Sequence, residues 1–479
     1  MNVILILSDT FRQDLLEGRF KIKKKSSYTP HLDRFLKDSI NFTRAYHASF
    51  PTVPNRADIY TGRYTLTFYD WSPLPRNWTI LPQILSEYGY VTMMINNTPH
   101  ILKDGYNFDR GFNGWIWIRG QENDRYRTYP RHPELPCDPS KLRKVESTLQ
   151  HLRNNYGRRR EEEWMPAKTA KAACEWLEEN YREDFFLYID FFDPHEPWDP
   201  PEWYKERFNP GYEGEEVIYP IYGPSDYLSE EELTHIRALY AAEAMLVDRW
   251  VGEIIETADN LGLLENTIII FTSDHGFYLG EHNLIGKSII FKEFHGLAPL
   301  YEEVAHIPLI VRFADELSYP HGVECDSLVQ TPDITATILS LLHAEPPPNM
   351  DGYPLQKLLE REAERSIAVS SPSLIHGLRA GIRVTVTSKE WSLILAPQRM
   401  KAEETREYTY IVDGEKRVLK TLGDVRSELY HLPSDPNQKK NVIQDRKDIA
   451  DLLHQEFLRV LAKLSANSSI YNNWKDYKI

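Results

Sequence analysis

The stretch MNVILILSDT, Met1–Thr10, reads as a buried strand with a polar end: the apolar run Val3 to Leu7 passes straight into Ser8, Asp9 and Thr10. IIIFTSDHG, Ile268–Gly276, has the same form and closes on Asp274 and His275. Between them, strand-like apolar runs alternate with amphipathic helical stretches. Leu81 to Tyr88 reads as a helix leading into a strand at Val91 to Ile95, and Thr169 to Asn180 as a helix before the strand Phe185 to Phe192. A helix from Ser229 to Ala258 precedes the strand Thr267 to Thr272, and Ile307 to Arg312 adds one more strand. Short apolar runs separated by helices imply βαβ units, so the spacing predicts an α/β fold with a doubly wound, mainly parallel sheet. Ligands of such sheets gather beyond the carboxyl ends of the strands. Asp9, Asp193, His195, Asp274 and His275 all follow strand-like runs directly.

Composition narrows the partners. Across 479 residues the net charge is −15 and charged residues make up 27%, with the acids spread along the chain. Nucleic acid is therefore not an expected partner, since phosphate backbones call for clustered lysine and arginine. The basic run Arg158–Arg160 passes straight into Glu161–Glu163 and reads as a solvated helix face. No apolar stretch is long enough for a membrane span, and the N-terminal run is too short for a signal core. Three separated cysteines, Cys137, Cys174 and Cys325, have no metal-type or redox-type spacing. The expectation is a cytoplasmic protein with reduced thiols.

Two departures in texture suggest organisation. A Tyr-, Arg- and Pro-rich stretch at about 120–165 reads as an insertion covering the site or meeting another subunit. After about Leu358 the pattern turns to alternating strands (Ala368 to Ser370, Gly381 to Thr387, Trp391 to Leu395) and a helix from Asp445 to Leu464. The expected organisation is a catalytic domain over 1–358 and a smaller α+β domain over 359–479. The insertion and the aromatic tail Tyr471 to Tyr477 offer surfaces for a homo-oligomer.

The run SFPTVPNRADIYTGRY, Ser49–Tyr64, carries the chemistry. Pro54 suits the first helical position, which puts Thr52 just ahead of the helix, near unpaired N–H groups that favour an anion. Arg56 lies four residues on, facing the same side, so a tetrahedral anion has room between the two. Alone, this string reads as a capped surface helix, and Asp-His-Gly as a turn. Together with Asp9 they form a metal set: carboxylate oxygens suit hard cations and imidazole suits manganese, zinc or iron. One divalent cation (Mn, Ca, Mg or Zn) on Asp9, Asp274, His275 and Thr52 would depress the pKa of the threonine hydroxyl. His195, held in DPHEPW, and Lys287, in LGEHNLIGK, are candidates to neutralise ester oxygens and protonate the departing alcohol. Asn97 and His100, in INNTPH, are weaker substrate-binding candidates.

The ordered series ILILSDTFRQD, PTVPNRADIYTGRY, DPHEPWDPP, FTSDHGFYLGEHNLIGK, HIPLIVR, DGYPL and LYHLPSDPNQKKNV resembles the sulfatase and phosphonate monoester hydrolase branch of the alkaline phosphatase superfamily. The resemblance covers nearly the whole chain. It implies an alkaline phosphatase-like domain with a small C-terminal domain, and metal ligands at Asp9, Asp274 and His275. It further implies a nucleophile at Thr52, a supporting arginine at Arg56, and anion and leaving-group contacts at His195 and Lys287, with Asn97 near a polar substrate contact. Two departures bear on function. Where sulfatases carry a cysteine or serine that becomes formylglycine, this chain has Thr52, whose branched β-carbon cannot become that aldehyde. Thr10 stands where many sulfatases have a second aspartate, whereas His275 matches the phosphonate monoester hydrolases. The resemblance therefore implies hydrolysis of phosphate diesters or phosphonate monoesters, with sulfate ester activity beside it. The alternatives are a sulfate ester hydrolase using unmodified threonine, a phosphotransferase, or a catalytically silent anion-binding homologue.

Overall fold

The computed structural model describes every residue except 17, 21, 23–26, 292–293, 401–406, 413 and 421–424. Its central sheet has eight strands: β1 (Asn2–Ser8), β2 (Ile40–Phe42), β3 (Val91–Asn96), β4 (Gly114–Trp117), β5 (Phe185–Phe191), β6 (Thr267–Ser273), β7 (Leu309–Arg312) and β8 (Val323–Cys325). They lie in the order β8–β2–β7–β6–β1–β5–β3–β4. Only β7 runs against the rest, pairing antiparallel with both β6 and β2. The mainly parallel α/β sheet expected from the sequence is therefore present. The central strand β1 sets Leu5 opposite Tyr188 of β5 and Ile270 of β6.

The uninterrupted apolar run of β1 follows from burial on both faces. Successive side chains point to opposite sides, so Ile4 and Ile6 enter one core with Leu187, Ile189, Ile269 and Phe271. Val3, Leu5 and Leu7 enter the other with Phe186, Tyr188, Ile268 and Ile270. Five helices matter here: α1 (Thr52–Thr61), α2 (Met165–Asn180), α3 (Glu230–Asn260), α4 (Pro332–Leu341) and α5 (Lys447–Lys463). Helices α2 and α3 cover the first face, α1 and α4 the second. The start of α3 is fixed by a capping box, with Ser229 Oγ accepting from Glu232 N–H at 3.1 Å and Glu232 Oε2 from Ser229 N–H at 2.9 Å.

A second, five-stranded sheet joins Glu428–His431, Trp391–Leu395, Val384–Thr387, Ala368–Pro372 and Ser49–Phe50, in that order. It packs against α5 through a separate apolar core containing Val384, Leu393, Phe457 and Leu461. The edge strand of this sheet, Ser49–Phe50, pairs with Ser371 and Pro372 and leads directly into α1. The C-terminal sheet therefore helps hold the segment that carries Thr52.

The start of α1 corrects one expectation. The first intrahelical bond runs from Asn55 N–H to the Pro51 carbonyl at 3.0 Å, so Thr52 opens the helix and Pro54 is its third residue. Proline is tolerated throughout the first turn, where no N–H has an acceptor inside the helix. Thr52 remains at the positive end of the helix dipole.

Candidate active site

Because β1 and β6 are neighbours with Ser8 opposite Ser273, their carboxyl ends deliver Asp9 and Asp274–His275 side by side. Thr10 adopts a left-handed conformation (φ 58°), which turns the chain sharply after Asp9. One carboxylate oxygen from Asp9, one from Asp274 and one imidazole nitrogen of His275 lie within 4.8 Å of one another. Among the described residues this is the one such group of three. Asp274 Oδ1 accepts from the N–H groups of Thr10 (3.1 Å) and His275 (2.9 Å). His275 Nδ1 lies 3.0 Å from the Gly276 carbonyl, which only a protonated Nδ1 can satisfy, so Nε2 presents its lone pair to the cluster. Thr52 Oγ stands 3.5 Å from that Nε2. Lys287 Nζ stands 3.3 Å from it and 3.9 Å from Asp9 Oδ1. Asp9, Thr52, Asp274 and His275 are fully buried.

Arg56 is engaged mainly by the protein itself. Its guanidinium has five N–H donors, and four of them make hydrogen bonds to protein acceptors. Nε and one terminal nitrogen form a fork on Asp190, each at 2.8 Å. Nη1 donates to Asp274 Oδ2 at 2.6 Å and to the Thr52 carbonyl at 3.2 Å, and Nη2 forms an ion pair with Asp9 Oδ2 at 3.2 Å without a hydrogen bond. Four donors are engaged by the protein, and the remaining Nη2 contact is the ion pair with Asp9. The i, i+4 spacing did set the two on one side, but three carboxylates from β1, β5 and β6 occupy that side. Arg56 is a clamp beneath the cluster.

The donor set fits a divalent cation. Three buried carboxylates, Asp9, Asp190 and Asp274, face two cationic side chains, Arg56 and Lys287, leaving negative charge uncompensated in a water-poor site. Both oxygens of Asp9 lack a hydrogen-bond donor, as does Thr10 Oγ. Burial, then repulsion from Asp274, pushes the Asp9 carboxyl well above its ordinary range. For Asp274, burial also opposes ionisation, but His275, Arg56 and Lys287 outweigh it and hold that carboxyl below the usual range. A buried carboxylate with no donors beside an imidazole lone pair is the chemistry of a hard-cation site.

His195 is buried and stacked on Phe192 (ring centroids 4.1 Å apart), with Nδ1 2.7 Å from the Glu196 carbonyl. His100 is partly exposed; its ring lies 6.3 Å from that of His195, and its Nε2 lies 3.2 Å from Glu122. Asn97 is turned into the protein: Nδ2 donates to Asp193 at 3.1 Å and Oδ1 accepts from Phe192 N–H at 2.5 Å. It braces the loop before His195, which leaves its expected substrate contact without support in the geometry. Sequence reasoning missed Asp190, Glu196, Arg143, Glu122 and His47. A signal existed for Asp190, a lone acid inside the apolar run FFLYIDFF. The stretch at 120–165 supplies Gln121, Glu122 and Arg143, which reach Asp193, His100 and Glu196 respectively.

The profile of the sulfatase family matches residues 1–344. This chain belongs to the sulfatase family. The chain is 24% identical to arylsulfatase K of Xenopus laevis over 510 aligned residues, covering 98% of this chain and 84% of that protein. In structure it resembles the phosphonate monoester hydrolase of Agrobacterium radiobacter, with a TM-score of 0.71 and 21% identity over 97% of this chain and 96% of the other. It matches equally well a protein solved with its substrate D-glucosamine-2-N,6-O-disulfate, with a TM-score of 0.71 and 17% identity over 98% and 99% of the two chains. As a sulfatase-family member it is an ester hydrolase, and the family works with a divalent cation. No helix among the described residues is long and apolar enough to cross a membrane.

Proposed function

We propose that this chain cleaves phosphate diesters or phosphonate monoesters with Thr52 Oγ as the nucleophile. The observation that carries the reading is Asp9, buried and without donors, clustered with Asp274 and His275 beside the Thr52 hydroxyl. A divalent cation held by these residues and Thr52 would lower the hydroxyl pKa and neutralise charge on the ester oxygens. The chain's own residues do the rest. The first turn of α1 directs unpaired N–H groups and its dipole toward an oxyanion at Thr52. Arg56 fixes the Asp9 and Asp274 carboxylates from below, and its bond to the Thr52 carbonyl ties the nucleophile to the same clamp. Thr52 gives up its hydroxyl proton to solvent on ionising; as its Oγ–P bond forms, the bond from phosphorus to the departing oxygen breaks, and that oxygen takes a proton from His195. Water then cleaves the phosphothreonine, restoring the Thr52 hydroxyl and releasing the product acid.

The arylsulfatase relative favours a second reading, sulfate ester hydrolysis by the same unmodified hydroxyl. Parallel turnover of the nitrophenyl phosphate monoester, diester, phosphonate and sulfate by cation-loaded protein separates the two. Diester or phosphonate is expected to lead, with partial activity for Thr52→Ser and a loss of about 10³-fold or more for Thr52→Ala. Inorganic phosphate as the only product in excess alcohol counts against group transfer. Equal rates for wild type and Thr52→Ala would show that water makes the attack.

A further inference from the structure

Outside the cation cluster, the described residues contain a second buried chain of charges that ends on His195. Glu196 Oε2 is buried, has no hydrogen-bond donor, and lies 3.2 Å from His195 Nδ1. The other oxygen of Glu196 accepts from Arg143 at 2.8 Å and from the Tyr222 hydroxyl. The Arg143 guanidinium is sandwiched by the rings of Tyr219 (4.3 Å) and Tyr222 (4.2 Å), and reaches Glu122 Oε1 at 3.5 Å. Glu122 accepts from the Tyr219 hydroxyl and meets the partly exposed His100 at 3.2 Å.

Resting on His195 as proton donor to the departing oxygen, we infer that Glu196 is the positioning residue for His195, and that Arg143, from the 120–165 stretch, holds Glu196 in place. The backbone carbonyl of Glu196 can only accept, so His195 Nδ1 carries a proton. Nε2, on the opposite edge of the ring, is the nitrogen that exchanges one. A second proton makes the ring cationic, and the charged groups facing it are mixed. Lys287, Arg143 and His100 oppose that charge, and burial pushes His195 well below the ordinary histidine range. The Glu196 carboxylate is the one acid that touches the ring among the described residues. It supplies the negative charge that lets His195 hold and release the Nε2 proton, as a carboxylate does behind a catalytic imidazole. In the step, the bond from phosphorus to the leaving oxygen breaks with its electron pair going to oxygen. That oxygen takes the Nε2 proton, and His195 returns to the neutral ring.

The test is leaving-group dependence. Glu196→Gln preserves shape and the acceptor used by Arg143 and Tyr222, but an amide N–H₂ replaces the oxygen beside Nδ1. With cation-saturated protein, kcat is compared on a nitrophenyl ester, whose leaving group needs little protonation, and on the matching phenyl or alkyl ester. Glu196→Gln is expected to lower kcat on the poorer leaving group by about 10- to 100-fold more than on nitrophenyl. His195→Ala should discriminate at least as strongly. Arg143→Lys should discriminate in the same direction, and it carries the test if the Gln variant does not fold, as judged by circular dichroism. Equal losses on both esters for Glu196→Gln and Arg143→Lys, with discrimination retained by His195→Ala, would overturn the inference alone. Absence of discrimination in His195→Ala would instead remove the proton-donor role on which it rests.

Discussion

Replacing Arg56 with lysine separates a clamp from a substrate contact. Arginine makes four hydrogen bonds at this site, two to Asp190 and one each to Asp274 and the Thr52 carbonyl, and an ion pair with Asp9. A lysine ammonium has three donors and no planar fork, so at least one hydrogen bond is lost and the Asp190 pair cannot be met from both sides. Hydrogen bonds to charged groups are worth about 1.5–3 kcal/mol each, and breaking a buried pair costs about 3–5 kcal/mol. Arg56 and its three carboxylate partners are fully buried, so solvent screening gives no discount. We expect Arg56→Lys to lose about 3–5 kcal/mol in urea unfolding followed by tryptophan fluorescence. Cation affinity should fall with it, because Asp9 and Asp274 lose their register, and kcat should drop about 100-fold for a displacement near 1 Å. An arginine that gripped the ester would behave otherwise, raising KM with stability and cation content intact. A stability change below about 1 kcal/mol, together with wild-type cation content by atomic emission, would refute the clamp.

Two further substitutions test the electrostatics. Asp9→Asn should weaken cation binding by at least about 100-fold, yet stabilise the cation-free protein at neutral pH, because a buried carboxylate with no hydrogen-bond donor is removed. Since folding raises the Asp9 pKa, its contribution to stability is intact below the ordinary carboxylate range and is lost as pH rises through the raised value. Urea midpoints in chelator at pH 5 and 8 should therefore diverge more for wild type than for Asp9→Asn, and parallel midpoints would contradict this. His47 is fully buried with neither ring nitrogen hydrogen-bonded, and burial lowers its pKa from 6.5 to about 4. Folding thus favours the neutral ring, so stability is full above pH 6.5 and falls as pH drops toward about 4, by roughly 3 kcal/mol in all. His47→Leu should flatten that acid limb in urea titrations between pH 7 and 4; an unchanged limb would place the acid sensitivity elsewhere.

What the sequence revealed and what it hid divide along a physical line. Strands β1 and β6 were legible because burial on both faces writes an uninterrupted apolar run, and their polar ends announced Asp9 and Asp274. That these ends adjoin is a matter of sheet order, suggested by the resemblance and seen in the pairing of Ser8 with Ser273. The role of Arg56 was hidden for the same reason. Helical spacing says which side of α1 it faces, but the carboxylates waiting there come from three strands, and only their register reveals them. The start of α1 was misplaced by two residues because proline is equally at home anywhere in a first turn. Arg143 and Glu122 lie in a segment with no clear periodicity, so nothing in their spacing pointed to His195 or His100.

The charge count of the cluster also bears on which esters the proposed site can turn over. Without a cation, three carboxylates face two cationic side chains; a divalent ion reverses the excess to a single positive charge, and ionisation of Thr52 cancels it. Phosphate diesters, phosphonate monoesters and sulfate esters all carry one negative charge at neutral pH, whereas phosphate monoesters approach two. The cluster therefore suits the monoanions as a class, and charge alone cannot distinguish phosphorus from sulfur among them. That choice falls to groups outside the cluster, which meet the remainder of the ester and the departing oxygen. In the proposed site those groups are His195, with Glu196 behind it, and the 120–165 stretch that delivers Arg143 and Glu122 to them.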